Sequence, residues 1–537
     1  MRAILAALGL ALVTACGPQA GPAYDVEEKS IAQLQADMTS GAVTSEQLVQ
    51  AYLARIAELD DGGPSINSVI SLNPQALEQA RALDAERAAG NVRGPLHGVP
   101  ILIKDNIETA ENATTAGSLA LAQNITGRDA PLIARLREAG AVILGKTNLS
   151  EWANIRSNHS ISGWSAAGGL TRNPYALNRN ACGSSSGSGA AAAASLAAAT
   201  IGTETDGSIV CPSAINGLVG IKPTVGLVSR THVVPISHSQ DTPGPMGRSV
   251  ADVAAVLTAI AGSDPADPAT AGADARRQDY SAALDANALQ GRRIGVVRYM
   301  AGFNPRVDER FEEALEHLRA GGAELVEITE APSNRGQIGQ DEFTVLLVEL
   351  KADLDAYLAT TPASVRTRTL ADVIAFNNET PAETALFGQD IFETAQATNG
   401  LSDPSYLAAR ERSQRLAAAL IDGMLRTNNV DALVAPTLGP AWTTDLVNGD
   451  HFTGGGSSSL PAVSGYPHVT VPMGLVGGLP VGLSIFAEAW SESKLLSFAY
   501  AYEQRANARV PPTYAERLED TDLFRAALQQ PQAAPAE

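Results

Sequence analysis

Apolar residues recur at helical spacing through residues 26–59, at Ile31, Leu34, Leu48, Tyr52 and Ile56, and Thr44-Ser45-Glu46-Gln47 offers an N-terminal cap, so this stretch predicts two helices. A third helix is expected from about Pro74 to Ala89. Gly94-Pro95 breaks the chain before Val99-Pro100-Ile101-Leu102-Ile103, a short continuous apolar run of the kind that forms a buried strand, with Lys104 at its end. Residues 131–146 read as a helix closed by Gly140 and then a strand, Ala141-Val142-Ile143-Leu144. Residues 151–181, rich in Asn, Ser, Gly and Arg, read as an extended surface or cleft-lining loop. Ala190–Ala199 is expected to be an Ala-rich helix, and residues 201–230, dense in Gly, Ser and Thr, show little helical period. Further on, 249–261 and 308–320 predict helices, 294–298 a strand, 341–427 mainly helix, and 432–435 and 469–473 short strands. The alternation predicts an α/β protein, with one catalytic domain over 26–525 and a disordered tail over 526–537.

A composition of 45% hydrophobic and 18% charged residues fits a globular protein with a large core. The net charge of −20, with no run of Lys or Arg, leaves out the electrostatic footprint of nucleic-acid binding. At the N-terminus Arg2 precedes the apolar run Ala3–Val13 and the small residues Thr14-Ala15, the pattern of a cleaved export signal over residues 1–15. Val13-Thr14-Ala15-Cys16 resembles a lipobox, which makes Cys16 the expected lipidation site and residues 16–25 a linker. The expectation is an exported protein of the periplasm or cell envelope, touching membrane only through that anchor. Cys182 and Cys211 remain; an oxidising compartment would allow them to pair, but the sequence does not place them within bonding reach, and they read as small buried hydrophobes.

The chain holds only six lysines against 32 arginines, so a lysine kept at the end of an apolar strand, Lys104, is a candidate for work Arg cannot do, giving up its proton. To act as a base its pKa must fall from about 10.4 to roughly 7–8, a desolvation effect of about 4 kcal/mol. The alternative is a plain ion pair with Asp105. Two segments offer a nucleophile: Gly183-Ser184-Ser185-Ser186-Gly187-Ser188-Gly189 and Gly202-Thr203-Glu204-Thr205-Asp206-Gly207-Ser208-Ile209. Gly-rich turns leave backbone N–H groups free to converge on a developing oxyanion, which makes Thr205, Asp206, Gly207 and Ser208 a candidate oxyanion hole.

The order of Lys104 after an apolar strand, Gly183-Ser184-Ser185 eighty residues on and Gly207-Ser208-Ile209 twenty-four residues later resembles the amidase signature family. Gly217–Thr224 and Gly465–Pro472 are similar to that family too, and the resemblance extends from about Ile31 to Arg505. Within it, Thr203–Pro212 and Gln240–Met246 most resemble the bacterial enzymes that remove the C-terminal amide of peptides. The resemblance implies a central mixed sheet covered by helices on both faces, no cofactor and no metal. It further implies Lys104 as general base, Ser184, following a cis peptide bond, as proton relay, and Ser208 as acyl-forming nucleophile acting on a small peptide amide. Asp206 departs from the family's commoner Gly; its side chain is expected to point away from the oxyanion or to be hydrogen-bonded.

Other readings compete. Gly183–Gly187 also fits a G-x-S-x-G nucleophile elbow with Ser185 as nucleophile and His451 or His468 downstream, but an elbow needs a strand leading into the Ser, and residues 173–180 read as loop. Ser491-Glu492-Ser493-Lys494 fits S-x-x-K, yet Lys146-Thr147-Asn148 precedes it and lacks the Gly; a helix start is the simpler reading. Seven scattered histidines lack metal-ligand spacing. Within the family, fatty-acid amide hydrolysis and amidotransfer on charged tRNA are alternatives, the latter at odds with export. A non-catalytic peptide-binding lipoprotein is the alternative of another class.

Overall fold

Continuous apolar runs form strands and helix-spaced runs form helices in the computed structural model, which describes residues 24–528. Residues 1–15, Cys16 and most of the expected linker lie outside the described residues, as do residues 529–537. The helix Asp522–Leu528 reaches into the expected tail.

Thirteen strands are present among the described residues: β1 (Val69–Leu72), β2 (Pro100–Lys104), β3 (Val142–Thr147), β4 (Trp164–Ser165), β5 (Gly169–Leu170), β6 (Ala199–Glu204), β7 (Val219–Lys222), β8 (Thr242–Gly247), β9 (Arg293–Val297), β10 (Glu324–Ile328), β11 (Ala432–Pro436), β12 (His468–Val476) and β13 (Leu479–Phe486). Eleven join one mixed sheet in the order β1-β3-β2-β6-β8-β7-β12-β13-β11-β9-β10, and β4 with β5 makes a separate small hairpin. Strand β2 runs parallel to both β3 and β6. Every residue of these three strands is buried, as expected of parallel strands covered on both faces, so their carboxyl ends open together onto one crevice.

The two N-terminal helices are Ile31–Ser40 and Ser45–Ile56, and Thr44 caps the second as expected: its Oγ1 accepts from Gln47 N–H at 3.2 Å while Gln47 Oε1 accepts from Thr44 N–H at 2.9 Å. Among the described residues no helix is long and apolar enough to cross a membrane.

Two segments differ from the sequence reading. The Ala-rich helix spans Ser186–Ala193, and Ala199 already opens β6. Tertiary packing overrides alanine's helix propensity here, with the Arg248 guanidinium donating to the carbonyls of Ala192 (3.0 Å) and Ala197 (2.9 Å) across the break. Residues 201–230 contain β6, the helix Val210–Ile215 and β7, hidden in the sequence because small residues serve close packing: a Cβ on Gly220 would stand 2.2 Å from Ser213 Oγ. Residues 151–181 follow the cleft-lining alternative, with Ala153, Asn154, Ile155 and Ser162 at the crevice, and about half of the segment is buried where a surface loop would be exposed. Their asparagines replace missing backbone partners, Asn173 Nδ2 donating to the carbonyls of Asn180 and Ile215 (both 3.1 Å) and Asn180 Nδ2 to that of Ser162 (2.9 Å).

Candidate active site

Lys104 ends β2 with no solvent exposure. Its Nζ lies 2.7 Å from Ser184 Oγ, 2.9 Å from Thr203 Oγ1 and 3.2 Å from the Thr203 carbonyl, the last two supplied by the parallel neighbour β6. Asp105 does not pair with it. That carboxylate instead meets Lys146 at 3.0 Å and accepts from Thr115 N–H at 3.1 Å. Burial lowers the pKa of Lys104 to about 7, against the opposing pull of Asp241 and Glu204.

Ser184 follows a cis Gly183–Ser184 peptide bond and is buried just before the helix Ser186–Ala193. Gly187, in the first turn, admits no side chain, since a Cβ would stand 2.3 Å from the Ser68 carbonyl oxygen. Ser208 lies in the turn between β6 and the helix Val210–Ile215 and lines the crevice. Among the described residues its hydroxyl has no hydrogen-bond partner, and the link between the two segments is Ser185 N–H donating to the Ser208 carbonyl at 3.2 Å. The structure therefore brings Lys104 and Ser184 into contact and places Ser208 beside them without a hydroxyl-to-hydroxyl bond.

The Ser208 turn is held by carboxylates that sequence reasoning gave no role. Glu204 Oε2 accepts from the N–H groups of Ile209 (2.8 Å) and Val210 (3.0 Å), which caps the short helix and fixes the turn. Burial raises the pKa of Glu204. Asp241, inside the Gln240–Met246 motif, accepts from Thr205 Oγ1 (2.6 Å) and from the N–H groups of Ile236 (2.8 Å) and Ser237 (2.9 Å). Burial raises its pKa to about 6. Gly207 takes φ +83°, a left-handed conformation that glycine adopts without strain. Among the described residues, no hydrogen bond uses the N–H of Thr205, Asp206, Gly207 or Ser208 as donor.

The Asp206 side chain is hydrogen-bonded, accepting from Ser459 Oγ at 2.8 Å. Beside it lies Glu342, from the helix Arg335–Leu358, whose pKa is held well above the usual carboxyl range by burial and by the neighbouring Asp206 carboxylate. A crevice of about 380 Å³ runs from Ser208 and Asp206 along an apolar wall of Ile155, Ile236, Leu346, Leu438 and Phe452. Residues 153–155 and Leu346 belong to this lining, whereas the wall from Leu438 to Ser459 has no periodic signal in the sequence to announce it.

Cys182 and Cys211 are not separate hydrophobes. They form a disulfide with Cα atoms 6.1 Å apart, closing a loop that contains both Ser184 and Ser208. The positive φ of Cys182 (56°) and the turn after Ser208 bring the two sulfurs together, a folding-back that sequence distance does not reveal.

The competing sites do not assemble. Ser185 Oγ is buried and donates to the Thr203 carbonyl at 3.1 Å. His451 faces Asp445 at 3.4 Å at the surface, and His468 is buried in β12, 2.6 Å from Ser484 Oγ, its pKa lowered to about 3 by burial. Ser491 stands before the helix Glu492–Ala506, where Lys494 pairs with Glu488 at 2.8 Å. His238, Glu349 and Asp353 come together with ligand-like spacing, but hydroxyls of Ser237, Ser239 and Tyr406 already occupy Glu349, while His238 N–H and its ring occupy Asp353.

Similarity to known proteins identifies the chain as an amide-hydrolysing enzyme. The Amidase family matches residues 47–496, and the chain belongs to that family. It is similar to the native peptide amidase of Stenotrophomonas maltophilia (54% identity, 91% of this chain and 99% of that one, TM-score 0.86). It is similar also to peptide amidase PAM solved with the competitive inhibitor chymostatin (55% identity, 91% and 99%, TM-score 0.87) and to a probable amidase of Arabidopsis thaliana (39% identity, 95% and 97%).

The geometry predicts that His451→Ala leaves kcat unchanged. His468→Asn is expected to cost about 1–3 kcal/mol of stability through the disturbed Ser484 bond, with kcat of the folded fraction within about twofold of wild type. Thermal melts and steady-state assays check both, and loss of turnover in either variant would restore the histidine-dependent reading.

Proposed function

We propose that this protein hydrolyses the C-terminal carboxamide of small peptides through a Ser208-Ser184-Lys104 relay and an acyl-Ser208 intermediate. The observation that carries the proposal is the fully buried Lys104 amine 2.7 Å from Ser184 Oγ. A neutral amine directs its two N–H bonds to Thr203 Oγ1 and the Thr203 carbonyl, and its lone pair then faces the Ser184 hydroxyl. The relay requires the Ser208 hydroxyl, unpaired among the described residues, to donate to Ser184 Oγ. Lys104 takes the Ser184 proton as Ser184 takes that of Ser208, and Ser208 Oγ attacks the carbonyl carbon. The free N–H groups of Thr205, Asp206, Gly207 and Ser208 receive the oxyanion. On collapse Ser184 protonates the departing ammonia while Lys104 returns a proton to Ser184. Water then attacks the acyl ester through the same relay and releases the free acid.

Two observations support a peptide amide as substrate: the high identity to peptide amidase, and a crevice whose apolar wall suits side chains while Asp206 offers an acceptor near the backbone. The exported, lipid-anchored state read from residues 1–16 is part of the same proposal, and the Cys182–Cys211 disulfide supports it, since such bonds persist in oxidising compartments.

Ammonia release from a C-terminally amidated dipeptide tests the activity. Ser208→Ala is expected to lower kcat by about 10⁴ or more, with free glutamine and an oleoyl amide as poor substrates. Because the base must be neutral, kcat/KM is expected to rise with pH through about 7 and then level off, following the Lys104 titration. Ammonia from the fatty amide instead would keep the mechanism and change the substrate class; none from any amide would favour a peptide-binding role. For the anchor, Cys16→Ser is expected to move the protein from the membrane to the soluble fraction, and an unchanged distribution would reject lipidation at Cys16.

A further inference from the structure

The two halves of the proposed relay belong to separate pieces of chain. Ser184 is fixed on the Lys104 side: its Oγ contacts Lys104 Nζ at 2.7 Å and its carbonyl accepts from Ser150 N–H at 3.0 Å. Ser208 is fixed within its own turn, through Glu204 accepting from Ile209 and Val210 N–H and Cys211 N–H donating to the Gly207 carbonyl at 2.8 Å, while Thr203 just before it bonds Lys104 and Ser185. Two links span residues 182–185 and 205–211 among the described residues: the Ser185 N–H to Ser208 carbonyl bond, at 3.2 Å, and the covalent Cys182–Cys211 bridge. Cys182 stands two residues before Ser184 and Cys211 three residues after Ser208.

We propose that the Cys182–Cys211 disulfide is a positioning bond for the reaction, setting the approach of the Ser208 hydroxyl to Ser184, and that its reduction switches the enzyme down. Relay catalysis is sensitive to such placement, because a shift of about 1 Å between reacting groups can cost about 10²-fold in rate. The bridge tethers both segments directly, whereas the helix that follows Ser208, Val210–Ile215, is a short element. Both cysteines are buried but belong to the crevice lining, which is the side from which a small thiol would approach the bridge. The chemistry is thiol–disulfide exchange: a dithiol attacks one Sγ as a thiolate, forms a mixed disulfide, and closes to its own cyclic disulfide. Two electrons and two protons pass to the protein as two Cys thiols. Activity then depends on an oxidising surrounding, in keeping with an exported enzyme.

The inference rests on the Ser184 and Ser208 roles proposed above, and its test includes a control for them. The Cys182→Ser/Cys211→Ser variant, the wild type and Ser208→Ala are assayed for ammonia release well below the melting temperature of each. In parallel, folded wild type is treated with a dithiol, desalted, and titrated for thiols. We expect about a tenfold or larger fall in kcat with KM within about twofold, both in the double variant and in treated protein carrying two additional thiols per chain. Reoxidation restores the wild type and leaves the variant unchanged. Full kcat with two additional thiols, or a double variant that loses only melting temperature, would overturn the inference, because a purely structural bond moves stability and not kcat. If Ser208→Ala stays active the relay itself is wrong; if it is dead while the double variant is fully active, only the positioning role fails.

Discussion

The structure depends on a lysine amine held without a counter-ion inside the protein. A buried ammonium would normally recruit a carboxylate, and four stand within reach of this region. Each is committed elsewhere: Asp105 to Lys146, Glu204 to the N–H groups of Ile209 and Val210, Asp241 to Thr205, Ile236 and Ser237, and Asp206 to Ser459. Lys104 is left with two hydroxyls and a carbonyl and no carboxylate contact, so the desolvation of its ammonium form is not offset by a paired charge. The parallel pairing of β2 with β6 makes this arrangement possible by setting Thr203 beside Lys104 at the strand ends.

The same carboxylates shape the turn around Ser208. Glu204 closes the turn from within and Asp241 ties Thr205 to the 236–241 loop, so the amides of 205–208 are kept from pairing with the rest of the chain. Some of the acidity of this chain is thus internal architecture and not surface charge. Asp60 shows the same use where β1 begins, accepting from Ser68 N–H (2.7 Å) and Val69 N–H (2.9 Å). The crevice wall comes from outside the sheet: the helix Arg335–Leu358 brings Leu346, with Glu342 beside Asp206, and the chain from Leu438 to Ser459 brings Leu438, Phe452 and the partner of Asp206.

The strand before Lys104 was legible because a continuous apolar run ending in a rare lysine has few other meanings, and the two Gly-Ser segments because their composition suits no ordinary core. What stayed hidden has a common cause. Glu204 and Asp241 act through side-chain bonds to backbone groups that only the folded turn presents, and neither position carries a periodicity. The small-residue segments, Ala190–Ala199 and 201–230, use Ala and Gly for closeness, so propensity misplaced the helix and missed β7. The disulfide was undecidable because pairing depends on two chain reversals, at Cys182 and after Ser208. Polarity left residues 151–181 open between surface and cleft; they reach the crevice, and their asparagines substitute for backbone partners inside the protein.

Whether Lys104 is a neutral amine at working pH is read by NMR of protein carrying lysine labelled with ¹³C at the ε-carbon. Six lysines give a sparse spectrum, and the Lys104→Arg variant assigns the resonance by its disappearance. The account predicts that this resonance titrates near 7. A titration at or above the ordinary lysine value of about 10.4 would contradict it, since an amine charged at neutral pH cannot serve as the base for Ser184.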